Sequence, residues 1–279
     1  MKSIIDIVKP EIQLVEDREL RDVLLMAYKD SEASIDVIQS CLVKVTSQEW
    51  PEYAMCKFFK NWRNPAVGAG SFCALTCRLL EEASVYSLGS VTQSDLFFSA
   101  ARIAEVSNED MGLLGPNHGE LYEGLATAFC GTDAWKLQRY NLPQVTEYLT
   151  GVREYRERGQ YMIHALMISL AEELYNHGEF TYIAPLFKKW YGVVGLNDEK
   201  RNQVLRFVYE HVGGTESGHF ANMTQGLIHY CRAHGVEPDW EELGQRNREY
   251  IDGVAASFDQ LLIEMESSSE RYEVAGLAM

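Results

Sequence analysis

The feature that most constrains the fold is the spacing of apolar residues, which recur every three to four positions along most of the chain. Near the N-terminus, for example, Leu20, Val23, Leu24 and Tyr28 share one face of an ideal helix. No run of alternating apolar and polar residues is long enough to indicate a β-sheet. The sequence therefore predicts an all-α protein.

Helix-breaking residues divide this pattern into segments. They lie at Asn64-Pro65, Ser87–Ser90, Gly115–Asn117, Gly178, Gly195–Asn197 and Glu237-Pro238. The predicted helices cover residues 3–30, 31–46, 66–86, 93–107, 118–130, 158–177, 197–211, 216–234 and 239 to about 267, with another starting near Trp50-Pro51. We expect residues 1–268 to form a single all-helical domain and residues 269–279 to form a disordered tail.

Composition and charge exclude several classes of protein. With 25 basic and 41 acidic residues, the formal net charge is −16, which disfavours binding to nucleic acid or to anionic membranes. No apolar stretch approaches the roughly 20 residues that span a bilayer. The N-terminus lacks the apolar core of a secretory signal, so we expect a cytoplasmic protein. The six cysteines are dispersed, which predicts reduced core residues rather than a zinc or iron–sulfur site.

Motifs for nucleotide binding and for a serine nucleophile are absent from the sequence. Helical proteins often place metal ligands or a substrate pocket on the inner faces of their helices, so histidines and carboxylates are the residues of interest. Three clusters stand out. They are Glu109-Asp110 with His118, the tandem Glu172-Glu173, and His211 with Glu216 and His219. Of the other histidines, His164 is predicted to be a core or pocket-lining residue and His177 a helix-end residue. His229 and His234 are predicted to face solvent or a helix end.

The third cluster depends on the backbone around Gly213-Gly214. Measured around an ideal helix from His211, Glu216 lies at about 140° and His219 at about 80°, too widely spread for one ion. A π-bulge at the glycine pair turns these two positions back to about 40° and about −20° and creates one ligand face. Alternatively, the glycines end a helix at His211, in which case the ligand face is expected to dissolve.

In this order the three clusters resemble the motifs of the haem-oxygenase-like diiron oxidases and oxygenases. That family carries a Glu followed by a His, a Glu on a central helix, and a His-x3-Asp-x2-His segment. The corresponding stretches are Asn108–Gly112 with His118–Tyr122, then Glu172-Glu173 with Phe180, Pro185–Phe187 and Tyr191-Gly192, and finally Phe207–His219. The resemblance covers roughly residues 95–225 and departs from the family by one extra residue after His211 and by Glu216 in place of Asp.

The resemblance implies a haem-oxygenase-like helical bundle that holds two iron ions, Fe(II) or Fe(III), and uses O2 as co-substrate. The implied ligands are Glu109, His118, Glu173, His211, Glu216 and His219, with Asp110 and Glu172 as alternates for their neighbours. No catalytic residue beyond these ligands is implied. Imidazole and carboxylate ligands are those that oxygen-activating iron takes.

By the same resemblance, the expected substrate is a small amino acid or a molecule derived from one. The expected reaction is N-oxygenation, desaturation or oxidative C–C cleavage, in specialised-metabolite biosynthesis. The reaction would need an electron donor, which the sequence does not identify. The sequence also leaves the oligomeric state open, with a homodimer among the alternatives. A buried arginine near the site would support carboxylate recognition, but the sequence does not single one out among Arg102, Arg153, Arg156, Arg158 and Arg206.

Two other classes of function are compatible with the same helices. One is a metal-free enzyme similar to thiaminase II or the pyrroloquinoline-quinone synthase, which would use its acids and histidines for proton transfer. The other is a non-enzymatic helical interaction protein with an acidic surface, for which the histidines would be dispensable. A helical fold alone does not choose among the three.

Overall fold

The structure is a computed structural model that describes residues 2–62, 65–113 and 115–276, without the side chains of residues 65–67 and 269–276. This part of the chain consists of α-helices and three short 3-10 helices and contains no strand. In chain order the α-helices are α1 (Ile4–Gln13), α2 (Arg18–Asp30), α3 (Glu32–Thr46), α4 (Glu52–Asn61), α5 (Pro65–Ser84), α6 (Val91–Asp110), α7 (His118–Cys130), α8 (Pro143–Arg158), α9 (Met162–Val193), α10 (Arg201–Val204), α11 (Arg206–Glu210), α12 (Gly214–His234) and α13 (Trp240–Gly276). The predicted all-α class is confirmed.

Helix α9 lies at the centre of the bundle. It packs against α1, α3, α8, α11, α12 and α13. Its buried residues lie on all sides, as expected for a helix that is apolar around its whole circumference. The polar side chains that α9 carries are therefore held inside the protein, where burial is costly unless they have partners.

The predicted break at Gly178 is wrong, because α9 continues through this residue to Val193. Gly178 instead allows α1 to approach α9 closely. A Cβ atom there would lie 2.8 Å from both Ile4 Cγ2 and Val8 Cγ1. A tertiary contact requires glycine at this position, and periodicity along the chain does not reveal such a contact.

Three further segments of the chain differ from the predictions in their helices. The predicted helix 3–30 is two helices, because the Asp17 side chain accepts a hydrogen bond from Leu20 N (2.9 Å) and starts α2 anew. Helix α8 was not predicted. The predicted helix 197–211 is a 3-10 turn followed by the short helices α10 and α11.

The final helix extends to Gly276, and residues 277–279 of the predicted tail lie outside the described residues, so the disordered tail stays a prediction. Within the described residues, no helix is both long and apolar enough to cross a membrane. The cysteine prediction is confirmed for Cys41, Cys56, Cys130 and Cys231, which are buried. It is wrong for the other two, since Cys73 is partly buried and Cys77 is exposed.

Candidate metal centre

The residues predicted as metal ligands converge on a cavity of about 170 Å³. They come from α6, α7, α9, α12 and the residue that follows α11. The cavity wall contains Asp110, His118, Glu173, His211, Glu216 and His219. Glu109, on α6, reaches the same cluster through His219, and its side chain is 40% exposed.

The His219 imidazole lies between two carboxylates. Its Nε2 is 3.1 Å from Glu109 Oε2, and its Nδ1 is 3.2 Å from Glu173 Oε2. Glu173 and Glu216 each offer an oxygen, and His219 a ring nitrogen, within 4.8 Å of one another. All three side chains are buried, which makes this trio the core of the site.

Glu216 faces two imidazoles at once. Its Oε1 lies 3.8 Å from His211 Nε2, and its Oε2 lies 3.9 Å from His219 Nδ1. These separations are longer than hydrogen bonds, and each leaves room for an ion between carboxylate and imidazole. One carboxylate is thus aimed at two separate histidines.

His118 lies beside His211 and Asp110. The rings of His118 and His211 have centroids 4.3 Å apart, and His118 Nδ1 lies 3.0 Å from Asp110 Oδ1. The neighbours Glu109 and Asp110 therefore both reach the site, Glu109 beside His219 and Asp110 beside His118. The sequence left these two as alternatives, and the structure gives each its own histidine.

The alternatives Glu172 and Glu173 have different partners in the structure. Glu173 contacts His219, whereas Glu172 forms an ion pair with the buried Arg156. One residue along a helix is a rotation of about 100°, so adjacent side chains leave the axis in different directions. The structure therefore places Glu173, and not Glu172, beside His219.

The predicted π-bulge is wrong. Helix α11 ends at Glu210, Gly213 has φ +91° and ψ −124°, and α12 starts at Gly214. This left-handed conformation is one that glycine adopts and other residues rarely do. The alternative is confirmed for the backbone, since a helix ends at His211, which caps α11, and His219 lies on the next helix. Its expectation that the ligand face dissolves is wrong, because the turn brings His211 back over the first turn of α12, where Glu216 lies.

A backbone carbonyl fixes the tautomer of His211. Its Nδ1 lies 2.6 Å from the carbonyl oxygen of Phe207, which can only accept, so Nδ1 carries the proton. The Nε2 lone pair is then directed at the site, as in histidine ligands whose second nitrogen is held by an acceptor. The ring of Phe180 stacks on the imidazole with centroids 4.1 Å apart and fixes its plane.

The electrostatics of the cluster follow from these contacts. Burial lowers the pKa of His219, but its hydrogen bonds to Glu109 and Glu173 outweigh this and raise the pKa to about 12. The hydrogen bond from His219 lowers the pKa of the Glu109 carboxyl. For Glu173, burial raises the pKa of the carboxyl and the hydrogen bond from His219 reverses the effect, so the pKa is lowered. Without a metal ion, an imidazolium partly offsets the surrounding carboxylates.

This set of donors fits iron. It combines three imidazoles with carboxylates, the ligand types that non-haem iron takes. Glu173 and Glu216 are only 3% and 2% exposed, and carboxylates buried to this extent need a nearby positive charge. Divalent cations would supply that charge.

The loop between α6 and α7 is built around Gly112, which has φ +86°. A Cβ atom there would lie 2.7 Å from the backbone nitrogen of Asn117, the residue that caps α7 immediately before His118. Gly112 thus sets the distance between the end of α6, with Glu109 and Asp110, and the start of α7.

We expect Gly112→Ala to lower the free energy of unfolding by roughly 3 kcal/mol, since left-handed strain contributes about 1–2 kcal/mol and the backbone clash about 1–3 kcal/mol. Gly89→Ala is the matched control, because Gly89 has φ +74° with no atom within 4 Å of the added Cβ. Gly89→Ala should lower the free energy of unfolding only by the contribution of the left-handed strain. Urea unfolding measures both variants, and equal losses would contradict the role assigned to the Gly112 loop.

Two buried polar groups lie beside the site, Arg156, which the sequence did not single out among five arginines, and Glu179, which it did not indicate. Arg156 bonds to Ser71, Ser169 and Glu172 across three helices. Glu179 lines the cavity and accepts a hydrogen bond from Trp62 Nε1 (2.9 Å). The spacing of Glu173, Asn176 and Phe180 along α9, at i, i+3 and i+7, was the available signal for the cavity-facing side of that helix.

The other four histidines lie outside the cavity wall. His164 pairs with Glu242, His229 with Asp95, and His234 with Glu82, at 2.7–2.8 Å. His177 is buried within α9. That none of the four is a metal ligand stays a prediction.

Comparison with known proteins gives distant similarities. No family model matches the chain. An L-arabinose isomerase of Pectobacterium atrosepticum is 26% identical over 206 residues, which are 72% of this chain and 38% of the isomerase, so the chain spans well under half of that relative's length. Among solved structures, a TenA homolog from Pseudomonas syringae pv. tomato is similar with a TM-score of 0.47 and 10% identity, over 83% of this chain and 92% of that one. Similarities of this extent do not assign an activity.

Proposed function

We propose that the protein is a non-haem diiron oxidase or oxygenase that activates O2 within a haem-oxygenase-like bundle. Glu109, His118, Glu173, His211, Glu216 and His219 would hold the two irons, with Asp110 close to His118. The proposed substrate is a small amino acid or a molecule derived from one, and the reaction N-oxygenation, desaturation or oxidative C–C cleavage.

The position of Glu216 carries this proposal. A carboxylate aimed at one imidazole with each oxygen is what a pair of neighbouring metal ions needs as a shared ligand. Beside it, the remaining donors form two groups, Glu173 with Nδ1 of His219 and Asp110 with His118, while Glu109 contacts the other ring nitrogen of His219, Nε2. A single ion would leave one of these groups without a role.

When bound, iron supplies the redox chemistry that O2 activation requires. The chain's own residues have other tasks. Phe207 holds the His211 proton on Nδ1, and Phe180 holds the plane of the ring. The apolar part of the cavity keeps water away from the ligands, and exclusion of water strengthens electrostatic interactions and limits side reactions.

Replacement of the shared carboxylate tests the proposal. Glu216→Gln preserves the side-chain volume but removes the charge, so we expect bound Fe(II) to fall from about two per chain to one or fewer and O2 consumption by the reduced protein to stop. Glu210→Gln is the control, because Glu210 pairs with Arg206 on the exposed side of α11. Full iron binding and O2 consumption by Glu216→Gln would rule the shared ligand out.

A metal-free enzyme of the thiaminase II type is the second candidate. It is favoured by His219, whose two ring nitrogens both contact carboxylates and could exchange protons with a substrate in the cavity. This candidate would be favoured over the diiron enzyme if activity survives complete removal of iron and if the His219→Ala variant loses that activity.

A further inference from the structure

The cavity extends beyond the ligand cluster along two apolar helix faces. Helices α8 and α13 pack side by side and contribute residues spaced at i, i+4 and i+7. These residues are Val145, Leu149 and Val152 of α8 and Val254, Phe258 and Leu261 of α13. A molecule lying here would be in contact with hydrocarbon on both sides.

Two arginines belong to the wall of this cavity, and their charges are used differently. Arg156 is 2% exposed and forms its ion pair with Glu172 inside the protein, so its charge is already offset. Arg153, one residue after Val152, is 38% exposed and pairs with Glu157 in an exposed i, i+4 ion pair (3.2 Å). Such surface pairs contribute little and are readily exchanged for another anion.

The position of Arg153 places a cation where the cavity meets solvent. Among the described residues of the cavity wall, Arg153 and Arg156 are the arginines, none is a lysine, and the His219 imidazole already lies between two carboxylates. Since Glu172 offsets Arg156, Arg153 is the group available to an incoming anion. Guanidinium groups bind carboxylates through two parallel hydrogen bonds.

The cavity size limits the ligand. A volume of about 170 Å³ is close to that of an apolar protein cavity of roughly 150 Å³ that holds benzene. A molecule of roughly six to ten non-hydrogen atoms therefore fits.

We infer that the substrate is a small monocarboxylate with an apolar body, such as an apolar amino acid or its derivative. Its carboxylate binds Arg153 at the mouth of the cavity, and its body lies between α8 and α13 with its inner end towards the metal ligands. This inference rests on the proposed function and narrows it, because it excludes substrates with a charged or strongly polar side chain.

The inference is tested by measuring the affinity of the protein for 4-methylpentanoate in a titration monitored by ligand-observed NMR. The full chain is titrated both as isolated and after chelation, so that direct coordination of the carboxylate to iron is distinguished from binding to Arg153. We expect Arg153→Gln to weaken binding at least about tenfold, since hydrogen bonds to charged groups are among the stronger ones, and Arg153→Lys to restore part of it. The effect should be present in both samples.

The control variant is Arg158→Gln. Arg158 also lies on α8 and also pairs with a glutamate four residues away, Glu154, but it is not part of the cavity wall. It should bind 4-methylpentanoate like the unaltered protein. The neutral 4-methylpentanamide should bind weakly and show no dependence on Arg153. Acetate, which lacks the apolar body, should also bind weakly, and Arg153→Gln should weaken it further.

Equal binding of the carboxylate by Arg153→Gln and Arg158→Gln would overturn the inference, as would equal binding of the acid and its amide. Leu149→Asn, at a partly buried position of the apolar wall, should weaken 4-methylpentanoate but not acetate, and the reverse would also overturn it. Iron content is measured on the same samples. If the iron content is normal but binding does not depend on Arg153, this inference is rejected and the diiron proposal stands. If binding depends on Arg153 but the protein holds no iron, the diiron proposal is rejected and the carboxylate site stands.

Discussion

Replacement of His219 by alanine is expected to reduce the affinity of the protein for Fe(II) by on the order of 100-fold or more, since loss of even an outer partner of a metal ligand costs about 10–100-fold. His219 contacts Glu109 and Glu173 and faces Glu216, so three carboxylates lose their shared partner together. Anaerobic titration against a competing Fe(II) chelator measures the change in affinity.

His229→Ala is the matched control for this prediction. It lies on the same helix, α12, and its imidazole also contacts a carboxylate, that of Asp95, but away from the cavity. It should bind Fe(II) like the unaltered chain. A second variant, His219→Gln, keeps a polar side chain in the site and checks that the loss does not come from misfolding. If His219→Ala and His229→Ala bind Fe(II) with the same affinity, His219 is not a ligand.

Replacement of Arg156 by methionine is expected to lower the free energy of unfolding by about 3 kcal/mol, the lower end of the range for breaking a buried ion pair. Arg156 is buried and bonds to Ser71 and Ser169 as well as to Glu172. Without the guanidinium, Glu172 keeps its charge in a site that is only partly accessible to water. Urea unfolding measures the loss.

The double variant Arg156→Met/Glu172→Leu should recover most of that stability, because removing both charges leaves no buried group without its partner. Arg158→Met, which removes an exposed ion pair from the same helix, should change the stability by less than about 1 kcal/mol. Equal instability of the single and double variants would show that packing of the arginine stem, and not the ion pair, stabilises this junction of α5, α8 and α9.

The regular helices could be predicted because the information is local. Helix α7 begins at His118 and ends at Cys130 as expected, since Asn117 caps one end and Gly131 the other. Helix α8 was not predicted because its C-terminal half is rich in charged residues, which are Arg153, Glu154, Arg156, Glu157 and Arg158. Arg156 is buried there only because α5 and α9 supply its partners.

The candidate ligands could be predicted as clusters, but their arrangement could not. The pairs Glu109-Asp110 and Glu172-Glu173 are adjacent in sequence, and only the neighbouring helices show which side chain faces which partner. The helix end at His211 was one of two alternatives, but whether His211 still faces Glu216 across the turn at Gly213 depends on how α11 meets α12. The sequence identifies which donors are present, and tertiary packing decides which of them meet.

The most direct test of the diiron proposal is the number of Fe(II) ions that the purified, metal-free chain takes up under anaerobic conditions. Two nearby ligand groups that share Glu216 should bind about two irons per chain, and Mössbauer spectra of the oxidised protein should show the two ions magnetically coupled. No iron above background would contradict the proposal and leave proton transfer by the metal-free site as the account of its carboxylates and histidines.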